Sequence, residues 1–187
     1  VVLCRGYNML PNCELVNGKE AQFLVFKGND LISNNLKIKG AYEPELVEIA
    51  KNILNKHKSG LVLDIGANIG TFCIPLAKAF PKFIFKAFEP QRIISYQLGA
   101  NVIINGLDNV YIEKLALSDF TWTDRMIVPD YATETNIGAF SIDEETREQE
   151  YECATKGSYE QIDGARLDGL EIQDFIPLIK IDVEGHE

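Results

Sequence analysis

The stretch LVLDIGANIGTFCIPLAKAF, residues 61–80, decides the fold. It opens as an apolar, β-prone run, LVLDI, and from Ile69 to Phe80 its apolar residues recur with helical spacing. Between the two halves stand Asp64, Gly66, Asn68 and Gly70. A buried strand therefore passes through a short glycine-bearing turn straight into a helix.

Working outward, the same alternation repeats. FIFKAF (83–88) reads as a second strand, a helix runs from about Gln91 to Ile104, and VYIEKLAL (110–117) reads as a third strand. Both crossovers have the length that parallel strands require, and the first two strands are near-continuous apolar runs, as strands covered on both faces are. The expected fold class is α/β, a mainly parallel open sheet with flanking helices.

Upstream, EPELVEIAKNILNKH (43–57) predicts an amphipathic helix with Leu46, Ile49, Ala50, Ile53 and Leu54 on its apolar stripe and Pro44 in its first turn. AQFLVF (21–26) predicts a strand of an N-terminal hairpin, and the turn-rich KGNDLISNN after it predicts a loop. Downstream, residues 118–176 break the rhythm, with weak strand signals around Arg125 to Pro129 and an acidic run, DEETREQEYE. PLIKIDV (177–183) then predicts a fourth, clean buried strand.

One domain is expected over residues 1–187. It divides into an extension (1–42), a cofactor-binding half (43–117), a β-rich insertion over the acceptor side (118–176) and the fourth strand with its end (177–187). No run of 18 uncharged apolar residues is present, and the start, VVLCRGYNML, lacks the pattern of a signal peptide. A soluble protein without membrane contact is expected. Cys4, Cys13, Cys73 and Cys153 lack C-x-x-C spacing, which suits reduced thiols in a cytoplasm-like compartment. The formal net charge of -10 predicts that nucleic acid is not a partner. A symmetric dimer is the base-rate expectation.

In open α/β sheets ligands bind outside the carboxyl ends of the strands. A dinucleotide would want G-x-G-x-x-G, but the spacing here is G-x-N-x-G and Asp64 sets a negative charge beside the turn. A ligand with an ammonium, a sulfonium and a nucleoside is served better, and S-adenosylmethionine is such a ligand. The second strand ends at Glu89, some 20 residues on, where an acid can accept both hydroxyls of a ribose. Ser118 and Asp119, at the end of the third strand, could meet adenine edges or form a plain Asx turn.

These residues resemble the FkbM-type S-adenosylmethionine-dependent methyltransferases. The matching pieces are GAYEPEL (40–46), DIGANIG (64–70), AFEP (87–90), NGLDNV (105–110), LALSD (115–119), NIGAFSI (136–142), RLDGL (166–170) and IKIDVEGHE (179–187). The resemblance implies a Rossmann-like class I methyltransferase fold. It implies that Asp64, Gly66 and Asn68, followed by Gly70, line the methionine side, that Glu89 holds the ribose, and that Ser118 and Asp119 lie by the adenine. Glu43 matches an acid ahead of the first strand and is a candidate pocket residue. Asp182 at the fourth strand end would face the sulfonium and the acceptor. Gly169 stands where the family often has a second acid, and such a sheet normally continues past a fourth strand, so an incomplete sheet is expected at the C-terminus.

Methyl transfer to oxygen needs alignment of acceptor and methyl and removal of a proton. Asp182 is the first candidate base and His186 the second; His57, at a helix end, is expected to be a dipole partner. Asn136, Ser141 and Glu184 are candidate acceptor contacts, and Trp122, Tyr131 and Phe140 could pack on a ring, with ordinary packing favoured for Trp122. No metal is expected, because Asp182 and Glu184 lack a clear third ligand. The expected function is O-methylation of a sugar, glycan or small-metabolite hydroxyl. The alternatives are a catalytically silent binding module and a nicotinamide-dependent oxidoreductase, against which the G-x-N-x-G spacing argues.

Overall fold

In the computed structural model, residues 10–28, 30–128, 131 and 159–183 are described. Strands β1 (Cys13–Asn17) and β2 (Gln22–Phe26) form the expected antiparallel hairpin. The segment after it is not a loop. Helix α1 (Leu31–Lys39) begins at Asp30, whose carboxylate accepts from the Ser33 backbone N–H and hydroxyl, both at 2.8 Å. It ends at Gly40, whose positive φ of 71° closes the last turn. Asp and Gly, read from the sequence as turn residues, are here the two caps of a helix.

Helix α2 (Pro44–Leu54) follows, with Pro44 in its first turn. Its buried residues are Val47, Ala50 and Leu54, whereas Ile49 is 57% exposed, so the packed stripe is rotated from the one expected. Strand β3 (Gly60–Ile65), helix α3 (Cys73–Ala79), strand β4 (Phe83–Phe88), helix α4 (Arg92–Ile104) and strand β5 (Val110–Glu113) complete the alternating half. Helix α3 starts later than its spacing suggested because Asn68 (φ 51°) and Gly70 (φ 90°) hold left-handed backbone, which no helix accommodates.

The expected third strand splits in two. Only β5 stays in the main sheet; β6 (Ala116–Leu117) leaves it and pairs with β8 (Tyr159–Ala165), which in turn pairs antiparallel with β7 (Trp122–Ile127). Among its described residues the insertion is thus β-rich, as expected, although β8 gave no strong strand signal. RLDGL folds as a short 3-10 turn over Leu167–Leu170. Strand β9 (Leu178–Ile181) returns to the main sheet, whose order is β5-β4-β3-β9, every pair parallel.

The main sheet separates two apolar clusters. Val62, Phe85 and Ala87 face α1, α2, α3 and α4, while Leu61, Leu63, Ile65 and Phe88 face the segment around Leu167, Leu170 and Ile176. Strand β9 is not the fully buried strand expected: Ile179 is 42% and Ile181 52% exposed, because among the described residues it pairs only with β3.

In the small sheet Gly164 lies opposite Trp122, and a Cβ there would stand 2.2 Å from the indole Cε2. Trp122 therefore packs flat on a bare backbone, the ordinary packing role expected of it. Gly164→Ala should destabilise the protein by about 2 kcal/mol through overpacking. Urea denaturation would measure the loss, and the single tryptophan would report a red-shifted native emission.

Candidate active site

A cavity opens at the carboxyl ends of β3, β4 and β9. Its lining includes Tyr42, Glu43, Gly66, Asn68, Phe72, Glu89, Lys180 and Asp182. The parallel register explains the convergence: Asp64 on β3 stands opposite Lys180 on β9, so the residues just beyond each strand meet at one level.

Glu89 is the hub of the loop. It is buried, and its two oxygens accept from the backbone N–H groups of Asn68 (3.0 Å) and Gln91 (2.9 Å). Loss of hydration pushes its carboxyl up to about 7, against the partial relief those two N–H groups bring. Each oxygen keeps a second lone pair, so the same carboxylate that shapes the loop can accept ligand hydroxyls.

Gly66 borders the cavity, and the bareness of both Gly66 and Gly70 also serves packing. A Cβ on Gly66 would lie 1.9 Å from the Asp182 carbonyl oxygen, so its bareness first serves the junction of β3 with β9. A Cβ on Gly70 would lie 2.6 Å from both Ile74 and Leu98, so Gly70 seats α3 against α4. Asn68 caps its own turn, its Oδ1 accepting from the Ile69 N–H at 2.7 Å.

Asp64 is fully buried and does not border the cavity. Neither of its oxygens accepts a well-formed hydrogen bond; its polar neighbours are the thiol and backbone N–H of Cys73 and the Lys180 ammonium at 3.6 Å. Desolvation raises its carboxyl above the usual range, and Lys180 opposes the rise. Burial likewise pushes the Cys73 thiol well up, with the Asp64 charge adding to it. Lys180 also reaches Asp182 Oδ2 at 3.3 Å and donates to the Gly66 carbonyl at 2.8 Å.

Glu43 enters the lining with left-handed backbone (φ 45°) at the start of α2, a strained conformation for a residue with a Cβ. Ser118 and Asp119 follow β6 in the small sheet, where they meet each other at 3.3 Å and do not border this cavity. Tyr131 is buried against Phe26 and approaches Gln91 Oε1 at 3.5 Å. His57 packs on Phe175. His186, Asn136, Ser141, Glu184 and Phe140 lie outside the described residues.

Sequence reasoning missed Tyr42, Phe72 and Lys180. Lys180 did leave a signal: one acid interrupts the apolar strand LVLDI and one base interrupts LIKI, and buried charges are usually paired.

A parallel sheet flanked by helices, with a glycine turn at the end of one strand and an acid at the end of its neighbour, defines a Rossmann-like class I methyltransferase fold. A family profile described as the methyltransferase FkbM domain matches residues 64–187, and the chain belongs to that family. The family is S-adenosylmethionine-dependent, which agrees with the methyl donor expected from the spacing.

A curated relative, a 23S rRNA (uracil(1939)-C(5))-methyltransferase of Shewanella amazonensis, is 30% identical over 99 residues, 51% of this chain and 22% of that protein. The chain thus spans about a fifth of that relative's length. Among solved structures, M. jannaschii TYW2 in complex with AdoMet overlaps with a TM-score of 0.40 at 16% identity, over 64% of this chain and 66% of that one. A SAM-dependent methyltransferase of Agrobacterium tumefaciens overlaps with a TM-score of 0.43 at 11% identity, over 57% and 33%.

The exclusion of nucleic acid from net charge is corrected by these findings. The relative at 30% identity is by its name an rRNA methyltransferase. Charge summed over a chain does not report the local potential at one face, which is what a phosphate backbone meets. Among the described residues no helix is long and apolar enough to cross a membrane.

Proposed function

We propose that the chain binds S-adenosylmethionine at the ends of β3, β4 and β9 and transfers its methyl group to a hydroxyl of a sugar, glycan or other small metabolite. The observation that carries the cofactor part of this reading is Glu89, a buried carboxylate fixed by two loop N–H groups at a cavity also bordered by Gly66, Asn68 and Asp182, while the acceptor class rests on the family resemblance. Glu89 would take the ribose hydroxyls, and the Gly66–Asn68 backbone would follow the ligand toward Asp182.

When bound, S-adenosylmethionine supplies an electrophilic methyl carbon on a cationic sulfur. Asp182 would then hold the acceptor hydroxyl, orient its oxygen for in-line attack and take its proton at a carboxylate oxygen. Lys180 occupies Asp182 Oδ2, which leaves Oδ1 for that proton. The wall formed by Tyr42, Leu46 and Phe72 would keep water from the reacting atoms. The buried, unpaired thiol of Cys73 supports a reducing, cytoplasm-like setting.

Titration calorimetry with S-adenosylmethionine, S-adenosylhomocysteine and NAD tests the ligand class. Binding of the first two in about the micromolar range is expected, and binding of NAD alone would overturn the assignment. A labelled-methyl assay against separate glycan, small-metabolite and RNA pools tests the acceptor. Label entering RNA alone would sink the hydroxyl-metabolite reading.

A further inference from the structure

Lys180 is the one positive side chain among the described residues lining the cavity, set against Glu43, Glu89 and Asp182. Its side chain is only 11% exposed, and its ammonium is held by the Gly66 carbonyl at 2.8 Å, Asp182 Oδ2 at 3.3 Å and Asp64 Oδ1 at 3.6 Å. Those three acceptors come from the ends of two parallel strands, so the ammonium is fixed by the sheet register rather than by a flexible surface. Asp64 needs it, because a fully buried carboxylate with no well-formed hydrogen bond would otherwise carry an uncompensated charge.

We infer that Lys180 is a specificity-determining residue that sets the cavity's preference between a methyl donor bearing a sulfonium and its product, which lacks that charge. The inference rests on the S-adenosylmethionine reading above. Methyl transfer removes one positive charge from the ligand: the sulfonium of the donor becomes the thioether of S-adenosylhomocysteine. Acids in the cavity attract the ammonium that donor and product share, but only the donor adds a sulfonium, so an acidic field by itself favours the donor. An ammonium 3.3 Å from Asp182 offsets part of that field, so donor and product are held more nearly alike. Lys180 is in this sense the cavity's own cation, and it opposes the ligand's.

The test compares wild type, Lys180→Arg, Lys180→Met and the double variant Lys180→Met/Asp64→Asn. The double variant removes the buried acid together with its partner, which keeps a foldable reference if Lys180→Met alone does not fold. Each is titrated with S-adenosylmethionine and S-adenosylhomocysteine at low and high salt. In Lys180→Met the donor-to-product affinity ratio is expected to rise about threefold to tenfold, in the double variant by less, since the Asp64 charge goes with it, and high salt should shrink both rises. Lys180→Arg, which keeps the charge, should hold the ratio within about twofold of wild type.

If both affinities fall together and the ratio stays put in the Met-bearing variants, Lys180 is only a strut and the inference is overturned. Wild type that binds neither ligand would overturn the methyltransferase reading itself, and this inference with it. The two failures are distinguishable, because only the second appears in the unmodified protein.

Discussion

Glu89→Ala is expected to weaken S-adenosylmethionine binding by at least about 100-fold, since hydrogen bonds to a charged group contribute about 1.5–3 kcal/mol each and several are lost together. The carboxylate holds the Asn68 and Gln91 N–H groups, so its removal loosens the loop as well as the ribose contact. Calorimetry measures the loss; unchanged affinity would refute the role of Glu89.

The same residue makes binding depend on pH, with a sign that follows from its buried carboxyl. Burial raises it from about 4.5 to about 7, so it is largely neutral at about pH 6 and ionised at about pH 8. A carboxylate accepts two ribose hydroxyls better than a carboxylic acid, so affinity should climb about tenfold between about pH 6 and its plateau above about pH 8. Stability of the ligand-free protein should move the opposite way. Its contribution from Glu89 is fully present below about 4.5 and is lost as pH rises through about 7, because only the unfolded chain hydrates the charge. Glu89→Gln should flatten both profiles, and a binding profile left steep in that variant would point to another group.

Gly66→Ala is the second large effect. Its Cβ would meet the Asp182 carbonyl oxygen at 1.9 Å, and its φ of 74° is itself unfavourable for alanine. Relief requires β9 to move away from β3, which disturbs Lys180 and Asp182 together. A stability loss of about 2–4 kcal/mol is expected, with cofactor binding lost in parallel. Chemical denaturation and calorimetry check both, and a wild-type-like protein would show that the junction is looser than its geometry.

The alternating half of the fold was legible because its signals are local. A buried parallel strand writes itself as an apolar run, and helix α2 as a period of nearly four. Helix α1 was not legible, since Asp30 and Gly40 serve turns and helix caps equally well and only packing of Ile32 and Leu36 decides between them. The split of 110–117 was hidden for a similar reason: β6 is strand-like in either sheet, and its partner β8 lies some forty residues on.

The site divides along the same line. Residue type and spacing were enough to specify the methyl donor, because a glycine turn after one strand and an acid after the next express local backbone and charge requirements. What each residue touches depended on register between strands far apart in the chain. Pairing of β3 with β9 buries Asp64 behind Lys180, spends the bareness of Gly66 on the Asp182 backbone, and leaves Glu89 and Asp182 facing the cavity. Such partners are chosen by long-range packing and desolvation, which no stretch of adjacent residues encodes on its own.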